Sequence, residues 1–122
     1  MKALSVVSPS GRKIASGEKT IEVRRWLPDL SPDEDLLIIE NDKYLTKTGD
    51  TDPDGRAVAI VRVSLVRPFI MADMQPACAS YFEQGWHSWI LTNIRPISSA
   101  KKVLAARGIY EVDATEIFAT KT

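Results

Sequence analysis

The sequence predicts a small α+β protein in which short strands form a closed or nearly closed barrel with two or three short helices. The chain has 122 residues, a length that suits one domain. About five or six apolar or alternating runs, each bounded by turn residues, have the length of short strands. Because hydrophobic residues make up 44% of the chain, we expect residues 1–122 to form one domain, with a core over about 3–113 and a loose tail over 114–122.

The first elements of this prediction are a strand and a short helix. Residues 3–7 form a short apolar run that is typical of a first strand or an extended lead-in. Ser8 and Pro9 suit the N-cap and the first position of a helix over residues 9–16. Gly17 suits its C-cap, since glycine enters the left-handed backbone region without a steric penalty.

Residues 20–26 alternate between polar and apolar side chains, as a half-buried strand does. One face is apolar, and the other carries a hydroxyl, a carboxylate, a guanidinium and an indole, with an ammonium at the entrance: Thr20, Glu22, Arg24, Trp26 and Lys19. Two interpretations stay open. The row is a solvated edge strand whose Glu–Arg pair contributes about 0.2–1 kcal/mol, or it is a site for a polar, planar, partly anionic ligand.

The middle of the chain predicts two more strands and two loops. Residues 27–35 form an acidic loop with two prolines, and residues 36–39 form an apolar strand buried on both faces. Residues 42–55, rich in glycine and aspartate, predict a long hairpin loop. The longest strand follows over residues 56–69, which alternate and end after a proline.

The last part of the chain predicts a helix and two strands. The apolar residues of 70–84 recur at helical spacing, which predicts a core helix. Residues 86–94 alternate as a second aromatic strand, on which His87 and Trp89 share a face. These two side chains can stack on a base and hydrogen-bond to it, or Trp89 belongs to the core with His87 as a polar neighbour. Residues 97–107 form a small basic segment that can contact phosphates.

Three motifs in this order resemble a known family. The first motif is G-x-K-x-x-E-x-R, which fits Gly17, Lys19, Glu22 and Arg24. The second covers residues 86–96 and ends in N-x-R-P, and the third covers residues 108–112 and reads G-I-Y-E-V. Together they resemble the ASCH domain (activating signal cointegrator homology), a branch of the PUA-like fold. The resemblance implies a small PUA-like barrel, with a cleft between the first motif strand and the barrel mouth. It also implies that the end of the 36–39 strand lies near this cleft, so Glu40 is either a second candidate carboxylate or a cap of that strand.

The resemblance, together with the residue types, indicates that the ligand is RNA or a modified nucleotide. Lys19 and Arg24 can bind phosphate, and the guanidinium does so through two parallel hydrogen bonds. Glu22 can accept a hydrogen bond from an exocyclic amine, and Trp26 and Trp89 offer faces for stacking.

A metal-independent hydrolase is the alternative that the family also implies, since relatives include ribonucleases and an amidohydrolase that deacetylates N4-acetylcytidine. In that branch Lys19 would act as a base or polarise Thr20, a carboxylate would shuttle the proton, and Arg24 would hold the developing anion. The amidohydrolases carry threonine where this chain has Glu22, and the second acid that they need would correspond to Glu83. A third hypothesis is a protein-interaction module whose cleft binds no nucleotide.

Composition limits the function classes further. Lysine plus arginine and aspartate plus glutamate both number 16, so any nucleic acid must bind through a local patch. One cysteine, Cys78, and one histidine give no metal-binding pattern, and we expect no metal ion and no cofactor. No long apolar run or secretory signal pattern occurs, so we expect a soluble cytoplasmic protein that contacts no membrane.

Overall fold

A computed structural model describes residues 1–98 and 101–118 of the chain. These residues form an α+β fold, as the sequence predicts, with seven strands and three short helices. In chain order the elements are β1 (Lys2–Val7), α1 (Ser10–Ser16), β2 (Ile21–Arg24), β3 (Leu36–Asn41), β4 (Thr51–Pro68), a 3₁₀ helix (Met71–Asp73), β5 (His87–Pro96), β6 (Lys102–Ala106), β7 (Ile109–Glu111) and α2 (Ala114–Phe118). Of the predicted tail, residues 119–122 lie outside the described part.

The described strands form one mixed sheet in the order β2-β5-β4-β3-β1-β7, and β6 pairs with β4. β1 and β3 run parallel, whereas the other neighbouring pairs are antiparallel. Because β2 and β7 end this path, the sheet is not closed, and the prediction of a closed or nearly closed barrel with five or six strands is corrected. The extra strand is β6, which lies within the predicted basic segment 97–107. It pairs with the first part of β4, which begins five residues earlier than predicted.

The main hydrophobic core lies where α1 packs against the sheet. Trp89 from β5 is fully buried in it, together with Ile14 from α1. β3 contributes Leu36 and Ile38 to this core, whereas Leu37 and Ile39 of the same strand belong to a second cluster. The prediction that this strand is buried on both faces is therefore confirmed, and β3 is the centre on which the other elements are assembled.

The predicted helix over residues 70–84 is wrong, since only Met71–Asp73 is helical there. The carboxylate of Asp73 accepts the Ile70 N–H at 3.2 Å and also binds Arg67 and Ser88, which favours a tight turn. Three residues after Asp73, Pro76 lacks an N–H for a continuing helix. The apolar spacing instead serves a third small cluster around Ile21, Phe69 and Ala77.

Candidate functional site

A tight turn after α1 places the polar strand β2 at one end of the sheet. Gly17 has a left-handed φ of 83°, and its N–H donates to the Ile14 carbonyl at 3.0 Å, so the predicted C-cap is confirmed. The Thr20 N–H then donates to the carbonyl of Pro76 at 2.9 Å. β2 follows, and its antiparallel register with β5 sets Glu22 opposite Trp89. Glu22 and the residue two positions later therefore share a face.

Three charged side chains of the G-x-K-x-x-E-x-R motif form a continuous ionic chain. The Nζ atom of Lys19 lies 3.2 Å from Oε1 of Glu22. The other oxygen, Oε2, accepts from Nε and Nη2 of Arg24 at 2.9 Å and 2.8 Å. Glu22 therefore joins one cation on each oxygen, and its two bonds to Arg24 fix the plane of the guanidinium.

Lys19 lies at the inner end of this chain. Its side chain and that of Glu22 are each only 8% exposed. Besides Glu22, the ammonium donates to the carbonyl of Ala77 at 2.6 Å, in the turn that follows the 3₁₀ helix. Since Lys19 does not reach the surface cleft described below, it acts on the site through Glu22.

The charge of Glu22 is set by two opposing effects. Burial raises the pKa of Glu22, but the nearby charges and hydrogen bonds of Arg24 and Lys19 lower it by more, so its pKa lies below the ordinary value. The carboxylate is therefore ionised at neutral pH and keeps both cations in place.

Arg24 lies at the outer end of the chain and faces solvent in part. Its Nη2 group also donates to the carbonyl of Ser5 in β1 at 3.1 Å, so the guanidinium bridges β2 and β1. Within residues 1–98 and 101–118, nothing accepts a hydrogen bond from its Nη1 group. Arg24 thus has a fixed orientation and a spare N–H pair, which suits an anionic ligand.

An open cleft of about 1030 Å³ lies in front of Glu22 and Arg24. Its walls are formed by residues 5–10 of β1 and the turn into α1, by residues 22–26, by parts of the loop 44–49, by Trp86 and by the turn 106–108. The volume is in the range of small-molecule and cofactor sites. The cleft therefore lies between the free parts of β1 and β2, where the open sheet leaves a gap.

The cleft is cationic although the whole chain is neutral. Among the described residues, its lining contains three arginines, Arg24, Arg25 and Arg107, and one carboxylate, that of Glu22. Lys19 and Arg24 already neutralise that carboxylate. The local excess of positive charge is the kind of patch that a neutral chain needs in order to bind an anion.

Aromatic rings stand beside these arginines. Trp26 is 37% exposed, and its ring packs against Trp89 at 5.0 Å between centroids with an interplanar angle of 84°. The guanidinium carbon of Arg25 lies 5.5 Å from the centre of the Trp86 ring, and Tyr44 extends from the facing loop into solvent. The cleft thus combines planar apolar surfaces with guanidinium groups.

A family model for the ASCH domain matches residues 4–101. The chain belongs to the ASCH domain family. None of the curated proteins compared with it matches. Among solved structures it is similar to ASCH from Zymomonas mobilis, with a TM-score of 0.69 and 15% identity over 94% of this chain and 89% of that one. Two mutants of the Zymomonas protein, one serine-to-alanine and one tyrosine-to-phenylalanine, each match with a TM-score of 0.65 and 14% identity over 94% of this chain. The match covers 89% of the first mutant's chain and 91% of the second's. At this identity the likeness shows a shared fold.

In this ASCH domain, the predicted site residues of the first motif strand fall into two groups. Glu22, Arg24 and Trp26 line the cleft together. Lys19 lies behind them, and Thr20, half-buried before β2, uses its backbone to join Pro76 and β5 without lining the cleft.

The two aromatic-strand candidates lie outside the cleft. Trp89 is fully buried in the main core, so neither of its faces is open to a ligand. His87 is half-buried opposite Arg24 in the β2–β5 register but does not line the cleft. The interpretation of Trp89 as a core residue agrees with this position.

The two further candidate acids also lie elsewhere. Glu40 is buried beneath the start of α1, where Oε2 accepts the Arg12 N–H at 3.0 Å and Oε1 lies 3.5 Å from Arg56. Gly11 makes room for it, since a Cβ there would lie 2.7 Å from the Glu40 Cβ. Glu83 is exposed in the loop before β5 and does not line the cleft.

Sequence reasoning missed several cleft residues. Strand alternation directs Arg25 away from Arg24 and so predicts no role for it, but β2 ends at Arg24 and the chain turns there. Tyr44 lies in the predicted loop 42–55, and the sequence pattern gives no sign that this loop or the backbone of β1 lines the cleft. Two adjacent arginines at a strand end were the available signal.

The described part of the chain contains neither a cluster of metal-binding side chains nor a membrane-spanning helix. Within residues 1–98 and 101–118, no three His, Cys, Asp or Glu side chains lie together as metal ligands. None of the described helices is long and apolar enough to cross a membrane.

Proposed function

We propose that this ASCH domain binds an unpaired nucleotide, in single-stranded RNA or as a free modified nucleoside, in the cleft at Arg24 and Trp26. One observation carries the proposal. The guanidinium of Arg24 is fixed by two hydrogen bonds to Glu22, and its Nη1 group, which no other described residue uses, stands beside a partly exposed indole. A pre-oriented donor pair next to an aromatic surface suits a ligand with an anionic part and a planar part.

The distribution of charge supports a phosphate-containing ligand. Arg25 and Arg107 stand on two walls of the cleft in addition to Arg24. Guanidinium groups bind phosphate oxygens through parallel N–H donors. A small local patch, in a chain without net charge, favours weak and salt-sensitive binding over strong nonspecific binding.

Hydrolysis of the bound nucleotide is a second candidate function, and Glu22 favours it. Glu22 is the carboxylate that lines the cleft in the described part of the chain, and Arg24 and Lys19 keep it ionised. Although burial raises the pKa of Glu22, Arg24 and Lys19 already pair with both of its oxygens and lower that pKa by more. Glu22 would therefore serve hydrolysis by holding Arg24, which can stabilise an oxyanion, while the attacking water would lose its proton to solvent. The candidate substrates are the phosphodiester of RNA and the acetyl amide of N4-acetylcytidine, and we expect neither reaction to need a metal ion.

Binding can be tested by fluorescence anisotropy with a labelled single-stranded RNA at low salt. We expect Arg24→Ala to weaken binding about tenfold to a hundredfold, because a charge-assisted hydrogen bond contributes about 1.5–3 kcal/mol. Lys102→Ala is the matched control, since it removes one exposed charge that pairs with Asp54 outside the cleft. Equal losses in the two variants would mean that the RNA does not use this cleft.

Turnover can be tested in the same chelator-treated samples with RNA and with N4-acetylcytidine, by chromatography of the products. Product that appears with the wild type and disappears with Glu22→Gln would establish the hydrolase. RNA binding without product would support the binding function alone. If neither ligand binds nor reacts, the nucleotide proposal fails and a protein-interaction module becomes the better hypothesis.

A further inference from the structure

The edge of β1 that faces the cleft can be identified from three hydrogen bonds. The Ser8 N–H donates to the carbonyl of Asn41 at 2.8 Å, on the side of β3. Successive residues of a strand direct their backbone groups to opposite edges. Residues 4, 6 and 8 therefore face β3, and residues 3, 5 and 7 face the other edge.

Two contacts on the opposite edge agree with this assignment. The Ser5 carbonyl accepts from Nη2 of Arg24 at 3.1 Å, on the cleft side. The Val112 N–H donates to the carbonyl of Met1 at 2.9 Å, next to β7. The odd-numbered residues of β1 thus face β7 first and the cleft farther along.

The second half of this edge has no strand partner within residues 1–98 and 101–118. β7 pairs only with residues 2–4 of β1, and its Ile109 stands opposite Leu4. The backbone groups of Ser5 and Val7 on this edge lie beyond the last residue paired with β7, and both residues line the cleft. The Ser5 carbonyl already accepts a hydrogen bond from Arg24. Among the described residues, the Ser5 N–H and both backbone groups of Val7 have no partner, so they remain available to a ligand.

The N–H and the C=O of one extended residue point to the same side, so Val7 presents a donor beside an acceptor. An unpaired nucleobase carries the complementary pair of groups on its Watson–Crick edge, where unstacked bases are commonly read. A base in a duplex has this edge occupied. Ribose and phosphate do not carry such a pair of groups in one plane.

We propose that the backbone of Val7, with the Ser5 N–H beside it, reads the Watson–Crick edge of an unpaired base in the cleft. This inference rests on the proposed nucleotide binding and adds to it a specificity for unpaired bases. The cleft would then select single-stranded or extruded nucleotides over duplex, while Arg24, Arg25 and Arg107 are left for phosphate and sugar.

The test compares ligands, since a backbone group cannot be removed without changing the strand. The four ribonucleoside 5′-monophosphates are titrated by calorimetry, and the tightest is compared with a methylated analogue of the same phosphate charge, whose neutral base lacks one Watson–Crick donor. These analogues are N6,N6-dimethyl-AMP, N4,N4-dimethyl-CMP, N3-methyl-UMP and N1-methyl-GMP. We expect the methylated analogue to bind about tenfold more weakly, as for the loss of a buried hydrogen bond.

Amide NMR of the wild-type protein supplies the second readout. On titration with the unmodified nucleotide, we expect the Val7 amide proton to move downfield. The Val6 amide, which faces β3, is the internal control and should shift much less. Equal affinity for the methylated and unmodified nucleotides, with an unmoved Val7 amide, would overturn this inference and leave the proposed function intact. If calorimetry gives no signal for any mononucleotide, this inference fails, and the RNA anisotropy titration decides the proposed function separately.

Discussion

Lys19 and Glu22 form a buried ion pair in which Nζ lies 3.2 Å from Oε1, and neither side chain is more than 8% exposed. The pair explains why a lysine that does not line the cleft belongs to the motif. Lys19 holds Glu22, and Glu22 holds the guanidinium of Arg24 that lines the cleft. The motif therefore holds Arg24 in a fixed orientation through Glu22 on the same strand and Lys19 in the turn before it.

Replacing Lys19 should destabilise the fold as well as the site. In Lys19→Met, Glu22 loses one of its two cations and the Ala77 carbonyl loses its donor. We expect a decrease of about 3 kcal/mol in the free energy of unfolding, as is typical when one partner of a buried pair is removed. Urea denaturation at neutral pH measures it. Lys13→Met is the control, because Lys13 is half-exposed and 3.8 Å from an exposed Glu18, and should cost less than about 1 kcal/mol.

Glu22 should also give the fold a defined pH dependence. Burial raises the pKa of Glu22, but Arg24 and Lys19 lower it by more, so the folded pKa lies below the ordinary value of 4.5. A lowered folded pKa favours the folded state above the unfolded pKa, and that stability is lost as the pH falls through the folded pKa. The difference in unfolding free energy between wild type and Glu22→Gln should be constant near neutral pH and shrink below about pH 4.5. A difference that does not change with pH would contradict this.

The sequence predicts which side chains of the motif strand share a face, because strand alternation is a local property. A period of two residues is enough to place Glu22 and Arg24 on one face, and it brings Trp26 to the same region. The register that sets Trp89 opposite Glu22 is a property of the folded sheet and not of the alternation. What alternation cannot tell is that α1 packs over Trp89, since that depends on how a helix distant in sequence from β5 crosses the sheet.

The predicted features that failed depend on long-range contacts. Residues 70–84 have helical spacing, but Asp73 is bonded to Arg67 and Ser88, and the Pro76 carbonyl accepts from Thr20. Those partners lie in other elements and hold the segment in turns. The free edge of β1 in the described part of the chain cannot be predicted from the sequence either, since it arises because β7 begins at Ile109, opposite Leu4.

Trp26 should contribute to RNA affinity by stacking. Its indole is partly exposed at the cleft, and its other contact is the buried ring of Trp89. We expect Trp26→Ala to weaken RNA binding by about 1–3 kcal/mol, the usual effect of losing one base–aromatic stack. Leu27→Ala is the neighbouring control, since Leu27 is exposed but does not line the cleft. Anisotropy titrations of both variants measure this loss, and circular dichroism checks that both are folded. An unchanged RNA affinity for Trp26→Ala would exclude stacking on Trp26.

Arg107 should contribute to binding through charge alone. It is exposed in the turn between β6 and β7 at the cleft wall, and in the described part of the chain it has no ion pair to break. If it contacts one phosphate, Arg107→Ala should reduce the slope of log affinity against log salt by about 0.7, the value for single strands. Lys102→Ala, outside the cleft, should leave the slope unchanged. A uniform loss of affinity at every salt concentration would instead show that Arg107 shapes the turn without contacting phosphate.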